Sequence, residues 1–214
     1  TRAMDSWWIY AIGLLAQAFF SARILIQWIL SERARRVVSP AAFWIFSLAG
    51  SWLLFLYGWL RDDFSIILGQ SVSYFIYLWN LQMKGAWRSG VMRYVVLPVL
   101  LLTPIVVFCA IGHNAAEFFA TFLRNEEVPM WLLLFGSCGQ LIFTLRFVYQ
   151  WYVSVRLKES VMPAGFWAMS LLGSGMIVLY GIIRLDPVLI LGQSVGFVAY
   201  IRNLIIGHRE KRTK

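Results

Sequence analysis

The chain has 214 residues, of which 60% are hydrophobic, 17% aromatic and only 14% charged, and its mean hydropathy is +0.71. That mixture excludes an ordinary water-soluble domain and predicts an all-α integral membrane protein. The formal net charge of +9 has to be mapped by membrane side before it says anything about partners.

Apolar stretches of about 20 residues, enough to cross a hydrocarbon layer about 30 Å thick, recur along the chain. In order they predict membrane helices over Trp7–Ser31, Ala41–Leu60, Phe64–Met83, Met92–Gly112, Pro129–Ser154, Gly165–Ile183 and Pro187–Ile206. The first stretch is long and carries Arg23, so a cleavable signal peptide is not expected. Between the fourth and fifth lies HNAAEFFATFLRNEEV, whose Ala115, Phe118, Phe119, Phe122 and Leu123 recur at helical spacing, as an amphipathic helix lying on the membrane surface would. Cys109 and Cys138 fall inside apolar stretches, away from metal-ligand spacing to His113 and His208, and are expected to be packing residues.

Basic residues sort by side. Arg33, Arg35, Arg36, Lys84, Arg88, Arg93, Arg156, Lys158, Arg209, Lys211, Arg212 and Lys214 follow the odd-numbered helices. The opposite side holds Arg2, Arg61, Arg124 and Arg184 with most of the acids, namely Asp5, Asp62, Asp63, Glu117, Glu126, Glu127 and Asp186. The positive-inside rule then puts the N-terminus outside and the C-terminus in the cytoplasm. The charge is a topology signal that also attracts anionic lipid, and no nucleic acid is expected as a partner.

A shift of 123 residues aligns the first three helices with the last three without a gap. Gly13, Gln17, Phe20, Arg23, Gln27, Trp28 and Ser31 meet Gly136, Gln140, Phe143, Arg146, Gln150, Trp151 and Ser154. Pro40, Phe43, Trp44, Ser47, Gly50, Ser51, Tyr57, Arg61 and Asp63 meet Pro163, Phe166, Trp167, Ser170, Gly173, Ser174, Tyr180, Arg184 and Asp186. The segment LGQSV occurs at residues 68–72 and again at 191–195, followed by Tyr77 and Asn80 in one copy and Tyr200 and Asn203 in the other. Three helices per repeat is an odd number, so the fourth helix restores the orientation and the repeats are expected to be parallel, 3+1+3. The expected division is 7–83 for the first repeat, 84–128 for the linker and surface helix, 129–206 for the second repeat and 207–214 for a basic tail.

These residues resemble a family. Gln, Arg, Gln-Trp and Ser on one helix, Pro, Phe-Trp, Ser-Leu and Gly on the next, then Arg-x-Asp and LGQ before Tyr and Asn, are similar to the small membrane domain named after the N-terminus of lipid-A-disaccharide synthase, here in two copies. The resemblance implies a three-helix bundle paired with a second one, as in the SWEET and PQ-loop proteins, although the Pro-Gln signature is missing. It also implies an envelope-lipid setting in a bacterial inner membrane, without a counterpart of the soluble glycosyltransferase.

Polar side chains on membrane helices avoid lipid. Gln17, Arg23 and Gln27 share an arc of helix 1, as do Gln140, Arg146 and Gln150 on helix 5. Gln70, Ser73, Tyr77 and Asn80 share a face of helix 3, and Gln193, Tyr200 and Asn203 share one on helix 7. For any single amide or hydroxyl, interhelical hydrogen bonding is the default reading, with Gly50, Ser51, Gly173 and Ser174 allowing close packing. Arg23 and Arg146 lie about two turns inside their spans, where they either snorkel to the headgroups or meet an anionic ligand, and their duplication favours phosphate. Gly69 and Gly192 are expected where another helix approaches, and Trp44 and Trp167 as interfacial anchors. At the outer ends, Arg61 with Asp63 and Arg184 with Asp186 are expected as ion pairs, caps or a second anion site.

No phosphate-cradling glycine loop, intramembrane carboxylate pair, Ser-His-Asp constellation or metal cluster is present, so the residues predict no enzymatic activity, no cofactor and no metal. The leading expectation is an inner-membrane flippase for a phosphate-bearing glycolipid, such as a polyprenyl-phosphate sugar. The alternatives are a scaffold or lipid-presenting subunit for a membrane glycosyltransferase, and a SWEET-like facilitator for neutral sugars, which the arginines suit poorly.

Overall fold

A computed structural model describes residues 7–124 and 127–213, which leaves Arg2, Asp5, Glu126 and Lys214 of the charge map outside the described residues. The fold is all-helical: α1 Trp7–Ala34, α2 Ala41–Leu60, α3 Phe64–Met83, α4 Leu97–Ile111, α5 Ala115–Leu123, α6 Met130–Leu157, α7 Ala164–Ile183 and α8 Pro187–Arg212. A single π-helical turn over Met92–Val96 leads into α4. Among the described residues six helical runs are long and apolar enough to cross a membrane. The twenty-residue α3 is not one of them, because Gln70, Ser71, Ser73, Asn80 and Gln82 dilute its hydropathy. Helix α8 runs on through the basic tail to Arg212, since Glu, Lys and Arg are good helix formers.

The helices stop in the same way in both repeats, and without glycine. Arg35 after α1 and Lys158 after α6 both have φ 52°, while Asp62 after α2 and Leu185 after α7 both have φ 53°. The 123-residue shift relates both pairs. Asp63 N–H returns to the Gly58 carbonyl at 2.9 Å and Asp186 N–H to Gly181 at 2.8 Å, the bond that closes a helix end through a left-handed residue. Asp63 then starts α3 by accepting from the backbone N–H of Ser65 at 3.0 Å and of Ile66 at 3.4 Å.

Two compact units form, one from Thr1–Arg23 and Ala41–Asn125, the other from Ile24–Pro40 and Glu126–Lys214. In unit 1 the N-terminal half of α1 packs on α2, where a Cβ on Gly50 would meet the Ala16 carbonyl and the Phe20 ring at 3.1 Å. Helix α4 joins α2 and α3 through a consequence of its own sequence. Pro104 has no N–H for the carbonyl four residues earlier. That carbonyl, on Leu100, accepts instead from the hydroxyl of fully buried Tyr74 on α3, at 2.6 Å. Trp52 of α2 donates to Thr103 of α4 at 3.0 Å. The surface segment forms α5, and its Phe118 rests on Phe64 with centroids 5.9 Å apart.

In unit 2, α6, α7 and α8 pack in sequence. A Cβ on Gly173 would lie 2.8 Å from both the Gly139 carbonyl and the Phe143 nitrogen, so α6 and α7 touch along their backbones. The C-terminal half of α1 belongs to this unit. Arg202 of α8 binds Glu32 bidentately at 2.6 and 2.9 Å, and the Gln27 and Asn203 amides exchange bonds of 2.8 and 2.9 Å.

Three expectations are corrected. A Cβ on Gly69 or Gly192 would meet nothing within 4 Å, so no helix approaches either, and a glycine on an open face needs no close neighbour. Trp44 and Trp167 are 0% and 2% exposed, because each is enclosed by a neighbouring Phe and a Tyr of its own unit, so neither indole faces outward as an anchor would. Cys109 and Cys138 are exposed on the outer faces of α4 and α6 and do not pack in a core.

Candidate functional site

Among the described residues each unit buries one guanidinium, and the two are built alike. In unit 1, Arg23 of α1 donates through Nη1 to Ser47 Oγ on α2 at 3.0 Å and to Tyr77 Oη on α3 at 3.1 Å. Its Cζ stands 4.6, 5.3 and 5.8 Å from the ring centres of Phe20, Phe43 and Tyr77. In unit 2, Arg146 of α6 donates to Ser170 Oγ on α7 at 2.9 Å and to Tyr200 Oη on α8 at 3.4 Å. Phe143, Phe147, Phe166 and Tyr200 surround it at 3.5, 4.8, 5.2 and 5.8 Å.

The local sequence explains the repetition. Arg23 and Phe20 are three residues apart, so both lie on one helix face. The serine hydroxyls are held in place because Ser47 donates to the Phe43 carbonyl at 2.6 Å and Ser170 to the Phe166 carbonyl at 2.7 Å. Arg23 is 6% and Arg146 2% exposed. Neither guanidinium snorkels outward. Desolvating a cation costs several kcal/mol, which ring faces worth about 0.5–2 kcal/mol each and the paired hydroxyls offset. Exchanging those hydroxyls for an anionic oxygen is the chemistry such a station can perform.

The amides divide into fastened and open ones. Gln27 donates to the Val38 carbonyl at 3.1 Å and Gln150 to Val161 at 2.9 Å, while the Val38 and Val161 N–H groups reach Ser31 and Ser154 at 3.2 and 3.1 Å. These bonds clamp the loops after α1 and α6. Gln70 accepts from Ser51 at 2.8 Å and Gln193 from Ser174 at 3.1 Å, which ties α3 to α2 and α8 to α7. Asn80 and Asn203 are buried and donate to their own helices at Ile76 and Ala199. Gln17 and Gln140 are exposed, and Gln140 lines a cavity of about 220 Å³ with Leu133, Gly136, Ser137, Ile177 and Tyr180.

The Arg61 and Asp63 side chains do not pair with each other. Arg61 lies 5.2 Å from the Tyr10 ring centre and 5.7 Å from that of Tyr57, and its hydrogen bond to Tyr10 raises its pKa above the ordinary value. Asp63 caps α3, Arg184 is exposed, and Asp186 is half-buried at the start of α8. Sequence reasoning missed Tyr74, Glu32 and Arg202. The first was signalled by the carbonyl four residues before Pro104. The other two are 170 residues apart, and the positions they map to, Val155 and Trp79, break the repeat.

Comparison with known proteins places this doubled arrangement. The Lipid A Biosynthesis N-terminal domain matches residues 12–82 and again 135–205, the same 123-residue register (135 − 12 and 205 − 82). The chain belongs to that family. It is 32% identical over 211 residues to a lipid-A-disaccharide synthase of Chlamydia abortus, 31% over 210 residues to one of Chlamydia trachomatis serovar D, and 29% over 210 residues to one of Chlamydia pneumoniae. Those alignments cover 95%, 95% and 96% of this chain and 34%, 35% and 34% of the relatives. The chain thus spans about a third of the length of the relatives it matches. No solved structure matches.

The family overturns one expectation. The residues predicted no enzyme, yet relatives that align along nearly the whole chain are named as a synthase, so the homology is to an enzyme family of lipid A biosynthesis. The prediction failed because it rested on soluble-site motifs, whereas the homology lies in the helical segment itself.

Proposed function

We propose that this chain is an integral membrane domain of bacterial lipid A biosynthesis that takes up a phosphate-bearing glycolipid and carries its headgroup between leaflets. Seven helices cross the inner membrane as two parallel triplets joined by α4, with the N-terminus outside and the C-terminus in the cytoplasm. Arg23 and Arg146 are the phosphate-binding cations, and Ser47 with Tyr77, and Ser170 with Tyr200, hold them until phosphate takes over. What carries the reading is the duplicated Arg-Ser-Tyr station, a cation buried at the same place in each repeat.

A second reading is that the domain presents lipid to a glycosyltransferase without moving it. It is supported by the names of the relatives and by the deep burial of both arginines in this conformation. Lipid mass spectrometry of the purified protein tests what the two readings share. The expected finding is a stoichiometric phosphate-bearing glycolipid that is lost from the Arg23→Gln, Arg146→Gln double variant. Bulk phospholipid alone would refute both.

A further inference from the structure

We infer that unit 2 carries a separate, uncharged recognition site for the sugar ring of the glycolipid, in the cavity walled by α6 and α7. This rests on the phosphate-lipid reading above and adds the part of the headgroup that the arginines do not address. The cavity, about 220 Å³, is lined by Leu133, Gly136, Ser137, Gln140, Ile177 and Tyr180. Among the described residues no charged side chain lines it, so it does not suit phosphate. One amide and two hydroxyls do, and these are the donors and acceptors that match ring hydroxyls.

Three observations converge on it. Among the described residues, the Ser137, Gln140 and Tyr180 side chains make no hydrogen bond within the protein. Gln140 lies ten residues into α6, about 15 Å along the helix, where an amide left without a partner in apolar surroundings is costly. Gly136 shapes the wall, since a Cβ there would stand 2.6 Å from the Tyr180 ring. Finally, the repeats differ here. Gly136, Gln140 and Tyr180 correspond to Gly13, Gln17 and Tyr57, but Leu133 and Ser137 correspond to the bulkier Tyr10 and Leu14. In unit 1, Arg61 covers both Tyr10 and Tyr57 at 5.2 and 5.7 Å. At these two positions the second repeat carries the smaller side chains and no counterpart of the Arg61–Tyr10 contact, since Leu133 stands where Tyr10 does. Arg146 follows Gln140 by six residues, about 9 Å along α6, which places a phosphate station next to a sugar station on one helix.

The test measures binding of a polyprenyl phosphate, and of the same lipid carrying one hexose, to the full chain in detergent. The wild type is expected to prefer the glycosylated lipid by about tenfold, as two or three modest hydrogen bonds would give. Leu133→Tyr with Ser137→Leu installs the residues that the first repeat tolerates at these positions. Gln140→Leu changes one exposed side chain and serves as the second variant, with thermal unfolding to confirm that each folds. Both are expected to lose the preference while binding the bare phosphate lipid within about twofold of wild type. A wild type that binds both lipids equally, or variants that keep the preference, would overturn the sugar site and leave the phosphate reading standing. Equal weakening of both lipids would assign the cavity to the hydrocarbon chain and overturn it too. A wild type that binds neither lipid refutes the phosphate reading itself, and the sugar site with it.

Discussion

Replacing Tyr74 by Phe removes one oxygen and keeps the ring, which is 0% exposed and packs on Phe55 with centroids 5.1 Å apart. The hydroxyl is the donor that reaches the Leu100 carbonyl. With Pro104 unable to supply an N–H, the loss leaves that carbonyl without a donor inside an apolar bundle, a cost of about 1–3 kcal/mol. For a chain of this size each kcal/mol shifts Tm by about 2–4 °C, so a fall of about 2–12 °C is expected. The decisive comparison is a double-mutant cycle. Pro104→Ala returns the backbone N–H to Leu100, so in that background Tyr74→Phe is expected to be nearly neutral, with a coupling energy of about 1–3 kcal/mol. Thermal unfolding in detergent, followed by intrinsic fluorescence, measures all four proteins. Equal effects of Tyr74→Phe with and without Pro104 would refute the reasoning.

Asn203→Leu is expected to cost about 1–3 kcal/mol, because it breaks the reciprocal amide pair and leaves the amide oxygen of Gln27, a residue 0% exposed, without its donor, while the Gln27 N–H keeps Ser31 and Val38. Glu32→Gln, at a bridge whose side chains are each 36% exposed, is expected to cost under about 1 kcal/mol in the same unfolding assay. Gly173→Ala is expected to push α6 from α7 at a cost of about 1–3 kcal/mol, whereas Gly69→Ala and Gly192→Ala, with open space at the Cβ, are expected to be neutral or stabilising by up to about 1 kcal/mol. Leu185→Gly is expected to raise Tm by a few degrees, since Leu185 sits at φ 53° with 85% of its surface exposed.

Much of the fold was legible in the sequence, because hydropathy, a fixed repeat and Asx capping are local signals. α2 and α3 begin and end where the apolar pattern does. The helix stops were harder to read, since Arg35, Asp62, Lys158 and Leu185 adopt a conformation usually marked by glycine. At the arginine stations the sequence put the cations and the tyrosines on polar faces of separate helices, but neither their hydrogen bonds nor the ring enclosure was legible, since both depend on how three helices meet. The twin LGQSV segments illustrate the division. Their glutamines turn inward to serines on the preceding helix, whereas their glycines face open space. Glu32 with Arg202 was out of reach, because a contact across 170 residues has no local signature.

The proposal stands most directly on leaflet transfer. In proteoliposomes holding a labelled hexosyl polyprenyl phosphate in one leaflet, the wild-type chain is expected to speed its appearance in the other, and Arg23→Gln with Arg146→Gln to return the rate to that of protein-free vesicles. No acceleration by the wild type, or transfer that survives the loss of both arginines, would contradict the account.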